Sequence, residues 1–161
     1  MSARHGNTVP MTVSQRMATV RQRNTAPELA FQRELRSLGI RFHAHPRGLS
    51  GTPDVILPKS RVAVFVHGCF WHRHRGCPRA STPKSNPHFW SVKFADNVRR
   101  DARNVRTLRS EGWSVCTVWE CKLKANASRE AKRVATIRRL LAARSGRRAM
   151  LTESDGPPGS P

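Results

Sequence analysis

The sequence predicts an α/β fold, a mixed central sheet flanked by helices. Two observations predict it. Segments of helical period and short apolar runs rich in Val, Ile and Leu follow the order helix, three strands, helix, strand, helix. The chain has 161 residues, one domain of ordinary size and enough for an apolar core that needs no disulfide staples.

Residues 1–24 carry Arg4, Arg16, Arg21 and Arg23, no acid and no sustained period. They are expected to form a flexible basic arm, able to lie along a DNA backbone. The ordered domain spans 25–145. Thr25-Ala26-Pro27-Glu28 has the form of a capping box. Phe31, Leu35 and Leu38 then mark one helical face, and Gly39 stops the helix. A short strand follows around Ile40–His45. Residues 46–53 hold two Pro and two Gly and form a loop. Val55–Leu57 and Val62–Val66, separated by Pro58-Lys59-Ser60, read as a hairpin of buried strands. Residues 67–87 mix His, Cys, Arg, Gly and Pro without period, and a loop this long in a small domain is usually functional.

Pro87, with Asn86 as cap, opens a helix on which Phe94, Val98, Val105 and Leu108 share a face and which Gly112 ends. Trp113–Trp119 is a strand rich in Val, Thr and Trp. Ser128 is expected to cap a last helix that packs through Val134, Ile137 and Leu141. Its other faces carry Arg129, Lys132, Arg133, Arg138 and Arg139. From Gly146 the composition turns to Gly, Pro and Ser, and residues 146–161 read as a disordered tail. No internal repeat is present, and the strand order is not readable.

Thirty Lys and Arg, mostly Arg, face ten Asp and Glu, a formal charge of +20. Such a chain is drawn to polyanions. Tyrosine is absent, which excludes strand transfer through a phosphotyrosine. No apolar run approaches a membrane span, and none resembles a signal peptide, so a cytoplasmic protein is expected.

The four cysteines are Cys69, Cys77, Cys116 and Cys121. Cys69-Phe70-Trp71-His72-Arg73-His74-Arg75-Gly76-Cys77 holds two Cys and two His in nine residues. Zinc takes four such ligands tetrahedrally, and short spacings let one loop wrap it. Cys69, Cys77 and Cys121 supply three thiolates, with Cys121 just beyond a strand end. His72 or His74 supplies the fourth ligand, and spacing does not choose between them. Cys116, in mid-strand, reads as a small buried hydrophobe. The His-x-Glu and Pro-Cys-x-x-Cys signature of zinc deaminases is absent.

Pro53-Asp54 precedes one strand and Phe65-Val66-His67 ends the next. Many nucleases hold a hard metal with an Asp at one strand and an acid-x-Lys on the next. Here that second carboxylate is missing and His67 stands where the Lys would be, but a backbone carbonyl and water can still complete the shell of Mg²⁺, which keeps several waters. Glu120-Cys121-Lys122 also spells an acid-x-Lys, and it is set aside as coincidence. Asp101 falls on the apolar face of its helix, where an unpaired carboxylate would be costly. It is expected to pair with a buried His or Arg, and a His–Asp pair can orient a general base.

His67-Gly68-Cys69-Phe70-Trp71-His72, with Pro53-Asp54 before it and Trp119-Glu120-Cys121 after it, resembles the very-short-patch repair endonuclease family, Vsr. Thr25-x-x-Glu28, Phe89-Trp90, Asn97, Arg100-Asp101 and Gly112-Trp113 extend the likeness over about residues 16–123. Members nick double-stranded DNA beside T:G mismatches left by deamination of 5-methylcytosine. The resemblance implies a restriction-endonuclease-like fold. It implies Mg²⁺ held by Asp54 and the backbone carbonyl of Val66. His72 would activate the attacking water, with Asp101 near it and His67 and Glu28 in support. Structural Zn²⁺ would sit on Cys69, His74, Cys77 and Cys121, which leaves His72 free. Phe70, Trp71 and Trp90 would form an aromatic wedge that enters the base stack. A monomer working in the nucleoid, with a functional link to a cytosine-5 methyltransferase, is expected. The interval from His74 to Cys77 is one residue longer than the family pattern, so the zinc loop is expected to bulge there. The competing readings are a restriction-type nuclease of the same superfamily and a zinc-stabilised DNA-binding module without catalysis.

Overall fold

The structure, a computed structural model, describes Thr19 and residues 23–153. The expected arm, apart from Thr19, Arg23 and Asn24, and residues 154–161 of the expected tail lie outside the described residues. The elements are α1 (Ala26–Ser37), β1 (His43–Ala44), β2 (Val55–Leu57), a 3-10 turn (Pro58–Ser60), β3 (Val62–His67), α2 (Pro87–Ser110), β4 (Ser114–Trp119) and α3 (Glu120–Glu153). One mixed sheet has the order β1-β2-β3-β4, with β1–β2 and β2–β3 antiparallel and β3–β4 parallel. The expected α/β class and the β2–β3 hairpin are present. The parallel pairing is a matter of topology: α2 is the crossover that carries the chain from β3 back to the start of β4.

The two sheet faces follow the two-residue period of the strands. Val55, Leu57, Val62, Val64, Cys116 and Val118 face a core completed by Phe31 and Leu35 of α1 and by Leu123, Ala131 and Val134 of α3. Ile56, Ala63 and Phe65 face the other way, against Leu108 and Val105 of α2. Burying a side chain such as Phe31 or Leu35 contributes about 1.5–3 kcal/mol. Cys116 belongs to the first core, as its neighbours in the sequence suggest.

Several local expectations are corrected. Leu38 is an exposed C-cap and not part of the α1 core face, because Glu28 and Gln32 fill the buried stripe with Phe31 and Leu35. On α2 the buried face is Trp90, Phe94, Asn97 and Leu108, and Val98 is 45% exposed. The last helix begins at Glu120 and kinks at Asn126 (φ −163°, ψ 92°). The Asn126 Oδ1 accepts from the Arg129 N–H at 2.8 Å, so Asn126, and not Ser128, caps the long segment. That segment runs on to Glu153, past Gly146. Among the described residues no helix is long and apolar enough to cross a membrane.

Candidate active site and metal centre

A cleft of about 790 Å³ is lined by residues of α1, the loop before β2, the end of β3 and the loop after it, α2, and Glu120 at the start of α3. The β3 register builds its floor. Ala63 and Phe65 point toward α2, and the same period aims His67 there. The helical period of α2 sends Asp101 to the same place, because it lies four residues after the buried Asn97. The segment after β3 coils through the turns His72 N–H to Gly68 O at 3.1 Å and His74 N–H to Cys69 O at 3.1 Å. This brings His72 back over β3. Its Nδ1 lies 2.6 Å from Asp101 Oδ2, and its ring stacks on His67 with centroids 3.8 Å apart. The expected partner of Asp101 is therefore His72.

The electrostatics divide the labour. Burial opposes the Asp101 charge, but the hydrogen bond and charge of His72 hold its carboxyl below the ordinary value. Burial, reinforced by the charge of His72, pushes His67 down to about 3, so His67 is neutral at any working pH. The Asp54 carboxyl is raised by burial to about 6, against the Val66 amide that donates to its Oδ2 at 2.6 Å. The negative charge of Glu28 adds to that rise.

Glu28 is itself buried and engaged. Its carboxylate accepts from the Asn24 N–H at 2.8 Å and the Thr25 hydroxyl at 2.7 Å, and His45 Nε2 lies 3.5 Å away. The expected capping box is altered: Glu28 reaches back to the Asn24 N–H and the Thr25 hydroxyl instead of the Thr25 N–H, and Thr25 makes no side-chain bond to the helix amides. Ligand atoms of Glu28, His45 and Asp54 lie within 4.8 Å of one another. The loop leading to Asp54 is pressed onto α2 at Gly51, whose φ is +71°. A Cβ there would meet the Asn104 side chain at 2.5 Å, so only glycine permits the approach.

A second cluster lies beside the cleft. Cys69, His74, Cys77 and Cys121 place one ligand atom each within 4.8 Å of the others. His74 Nδ1 is 3.3 Å from Cys121 Sγ and 3.6 Å from Cys69 Sγ. The His74 ring is stacked on Trp119, 4.2 Å between centroids. The Cys77 N–H returns to His74 O at 3.1 Å in a tight turn, and Gly76 in it has φ +71°. His72 belongs to the cleft and His74 to the sulfur cluster, the separation that spacing had left open.

The three wedge residues do not share one environment. Phe70 and Trp71 are half-buried, and Asn97 holds the Trp71 carbonyl at 3.0 Å. Trp90 is only 5% exposed, against the expectation of an exposed ring. It stacks on Phe94 and meets the edge of Phe70, because it occupies the inward position of the first turn of α2. Its neighbour Phe89 is 40% exposed.

Sequence reasoning passed over His45, Lys93 and Asn104, none of which stands in a local pattern that singles it out. It also set Glu120 aside, yet Glu120 lines the cleft and pairs with Lys124 at 2.6 Å. The Glu-x-Lys spelling carried no signal for this, since the pairing is with Lys124 and not Lys122.

The family described as DNA mismatch endonuclease Vsr matches residues 8–79. A type II nicking enzyme, V.XorIIP, of Xanthomonas oryzae pv. oryzae is 46% identical over 116 residues, covering 72% of this chain and 85% of that protein. The DNA mismatch endonuclease Vsr of Escherichia coli is 37% identical over 113 residues, covering 70% of this chain and 72% of its own. The type II nicking enzyme V.NmeAIP of Neisseria meningitidis is 38% identical over 111 residues, 69% of this chain and 79% of that protein.

Proposed function

The chain belongs to the Vsr family of DNA mismatch endonucleases, and on that premise we propose that it nicks one strand of double-stranded DNA beside a T:G mismatch, with Mg²⁺ as the catalytic ion. The observation that carries the reading is the His72–Asp101 pair at 2.6 Å, opening on the same cleft as Asp54. The charge of +20 suits a DNA substrate. A mixed sheet with helices on both faces supports a restriction-endonuclease-like fold.

His72 acts as the general base. Its Nδ1–H is held by Asp101, which leaves Nε2 as the proton acceptor for the attacking water. Asp101 remains ionised and supports the imidazolium that forms. His67, neutral and stacked on His72, holds the ring in plane and supplies no proton at working pH. Asp54, with the Val66 carbonyl, would hold Mg²⁺, and a desolvated carboxylate whose charge is disfavoured alone is a fitting donor for a hard cation. Bound there, Mg²⁺ supplies charge stabilisation at the phosphate. Glu28 keeps its place as an anchor of α1 beside Asp54. The three-sulfur, one-imidazole set of Cys69, His74, Cys77 and Cys121 fits Zn²⁺, which would tie the loop after β3 to the start of α3 and contribute to folding.

Phe70 and Trp71 are the residues best placed to enter a base stack, with Trp90 as the support behind them. Unstacking costs a few kcal/mol and costs least at a mismatch, which favours T:G over a matched pair. Such mismatches arise where a cytosine-5 methyltransferase has acted, which is the functional link proposed. The test is a nicking assay with matched, methylated and T:G duplexes, with and without Mg²⁺. Nicking confined to T:G duplex is expected. Cleavage of matched duplex would make the protein a restriction-type nuclease, and binding without cleavage would make it a noncatalytic module.

A further inference from the structure

We infer that Arg100 is a substrate-contacting residue, its guanidinium spanning Asp101 and a non-bridging oxygen of the phosphate that is cut. The inference rests on the nicking function proposed above.

The cleft presents an electrostatic problem. Glu28, Asp54, Asp101 and Glu120 all line it, and the substrate is itself an anion. The basic residues on its wall, among the described residues, are Lys93 and Arg100 besides the histidines. Of these, Arg100 is the one in contact with the catalytic pair. Its Nη2 lies 3.3 Å from Asp101 Oδ1, while Asp101 Oδ2 is taken by His72. Asp101 thus divides its two oxygens between the proposed base and this cation.

One contact does not exhaust the group. A guanidinium has five N–H donors in a planar fork that matches carboxylate and phosphate oxygens. Among the described residues Arg100 bonds no other acceptor than Asp101, and its side chain is 49% exposed. The remaining donors are therefore free for a ligand at the His72 end of the cleft. Asp101, on the inward face of α2, restrains the fork, so less side-chain freedom is lost on binding than for a free arginine. Arg99 makes the contrast. It is 75% exposed, pairs with Asp96 at 2.6 Å and does not line the cleft. Lys93 lies seven residues before Arg100, at the N-terminal end of the stretch of α2 that lines the cleft, and suits a neighbouring phosphate as a point charge.

The experiment compares wild type, Arg100→Gln and Arg100→Lys, with Arg103→Gln as a control for the loss of an exposed charge outside the cleft. The full chain, loaded with zinc, is bound in magnesium-free buffer to a T:G duplex whose nick position has been mapped. The same duplex is then used with a neutral methylphosphonate at that position. Neutralising the phosphate is expected to weaken wild type about tenfold or more. Arg100→Gln should show that loss already on the native duplex and no further loss on the methylphosphonate. Single-turnover nicking with Mg²⁺ should fall about 100-fold in Arg100→Gln, and Arg100→Lys should recover part of it. Zinc content and thermal midpoint should match those of Arg103→Gln. A methylphosphonate penalty in Arg100→Gln equal to that of wild type overturns the inference, even if nicking is slow, because Arg100 then only holds Asp101. Wild-type nicking by Arg100→Gln overturns it too. Failure of wild type to nick the T:G duplex, seen before any substitution, would overturn the functional reading, and this inference with it.

Discussion

Replacing Asp54 by Asn should stabilise the fold in magnesium-free buffer at pH 8 while abolishing nicking. Burial raises the Asp54 carboxyl from 3.8 to about 6, with the charge of Glu28 adding to the rise. A group whose pKa is raised in the fold favours folding when protonated. That contribution is present at low pH and is lost as pH rises through the folded value. At pH 8 the ionised carboxylate therefore costs ~3 kcal/mol relative to the unfolded chain. Asparagine keeps the shape, and its carbonyl can still accept from the Val66 amide, now 2.6 Å from Asp54 Oδ2. The substitution removes charge and little else, so a gain of ~1–3 kcal/mol is expected, at about 2–4 °C per kcal/mol for a domain of this size. Thermal unfolding at several pH values, zinc retained, is the assay. The gain should shrink below pH 6 and vanish below 3.8, where both chains carry an uncharged side chain. Added Mg²⁺ should stabilise wild type and not the Asn variant. A less stable variant at pH 8, or a gain that does not change with pH, would refute the account of Asp54 as a desolvated ion-binding carboxylate.

Loss of His72 to Ala should slow nicking about 10²-fold or more and leave metal content and stability unchanged. Loss of His74 to Ala, or of Cys121 to Ala, should release zinc and destabilise the fold, as elemental analysis and unfolding would report. Trp90→Ala should cost about 3–5 kcal/mol of stability, as for any buried aromatic, whereas Trp71→Ala should lose affinity for T:G duplex with a smaller change in thermal midpoint. The neutral His67, held down to about 3, makes the protein acid-sensitive: its stability is full above the ordinary histidine value of 6.5 and falls as pH drops toward 3. His67→Gln should flatten that decline in unfolding curves measured between those limits. If the slope is unchanged, His67 is not the titrating group.

Local sequence determined a good part of this protein. The short apolar runs at Val55–Leu57 and Val62–Val66 and the capping signal at Thr25–Glu28 are visible without tertiary information, because each is a short-range pattern of side chains along the chain. The motif around His67–His72 pointed to the family, and the family implied which histidine goes to which site. Spacing alone did not, because His72 and His74 differ by two residues in a loop without period, and only the turns after β3 send one to Asp101 and the other to Cys121. Tertiary structure also decided which face of α2 is buried: Val98 is as apolar as Val105, but Asn97 and Asp101 have partners inward, and a satisfied polar group can displace a valine to the surface. It decided the burial of Trp90, the cap at Asn126, and the presence of His45, Lys93, Asn104 and Glu120 at one cleft. Those residues come from segments far apart in the chain. Their proximity is fixed by strand register and helix packing, which no local period encodes.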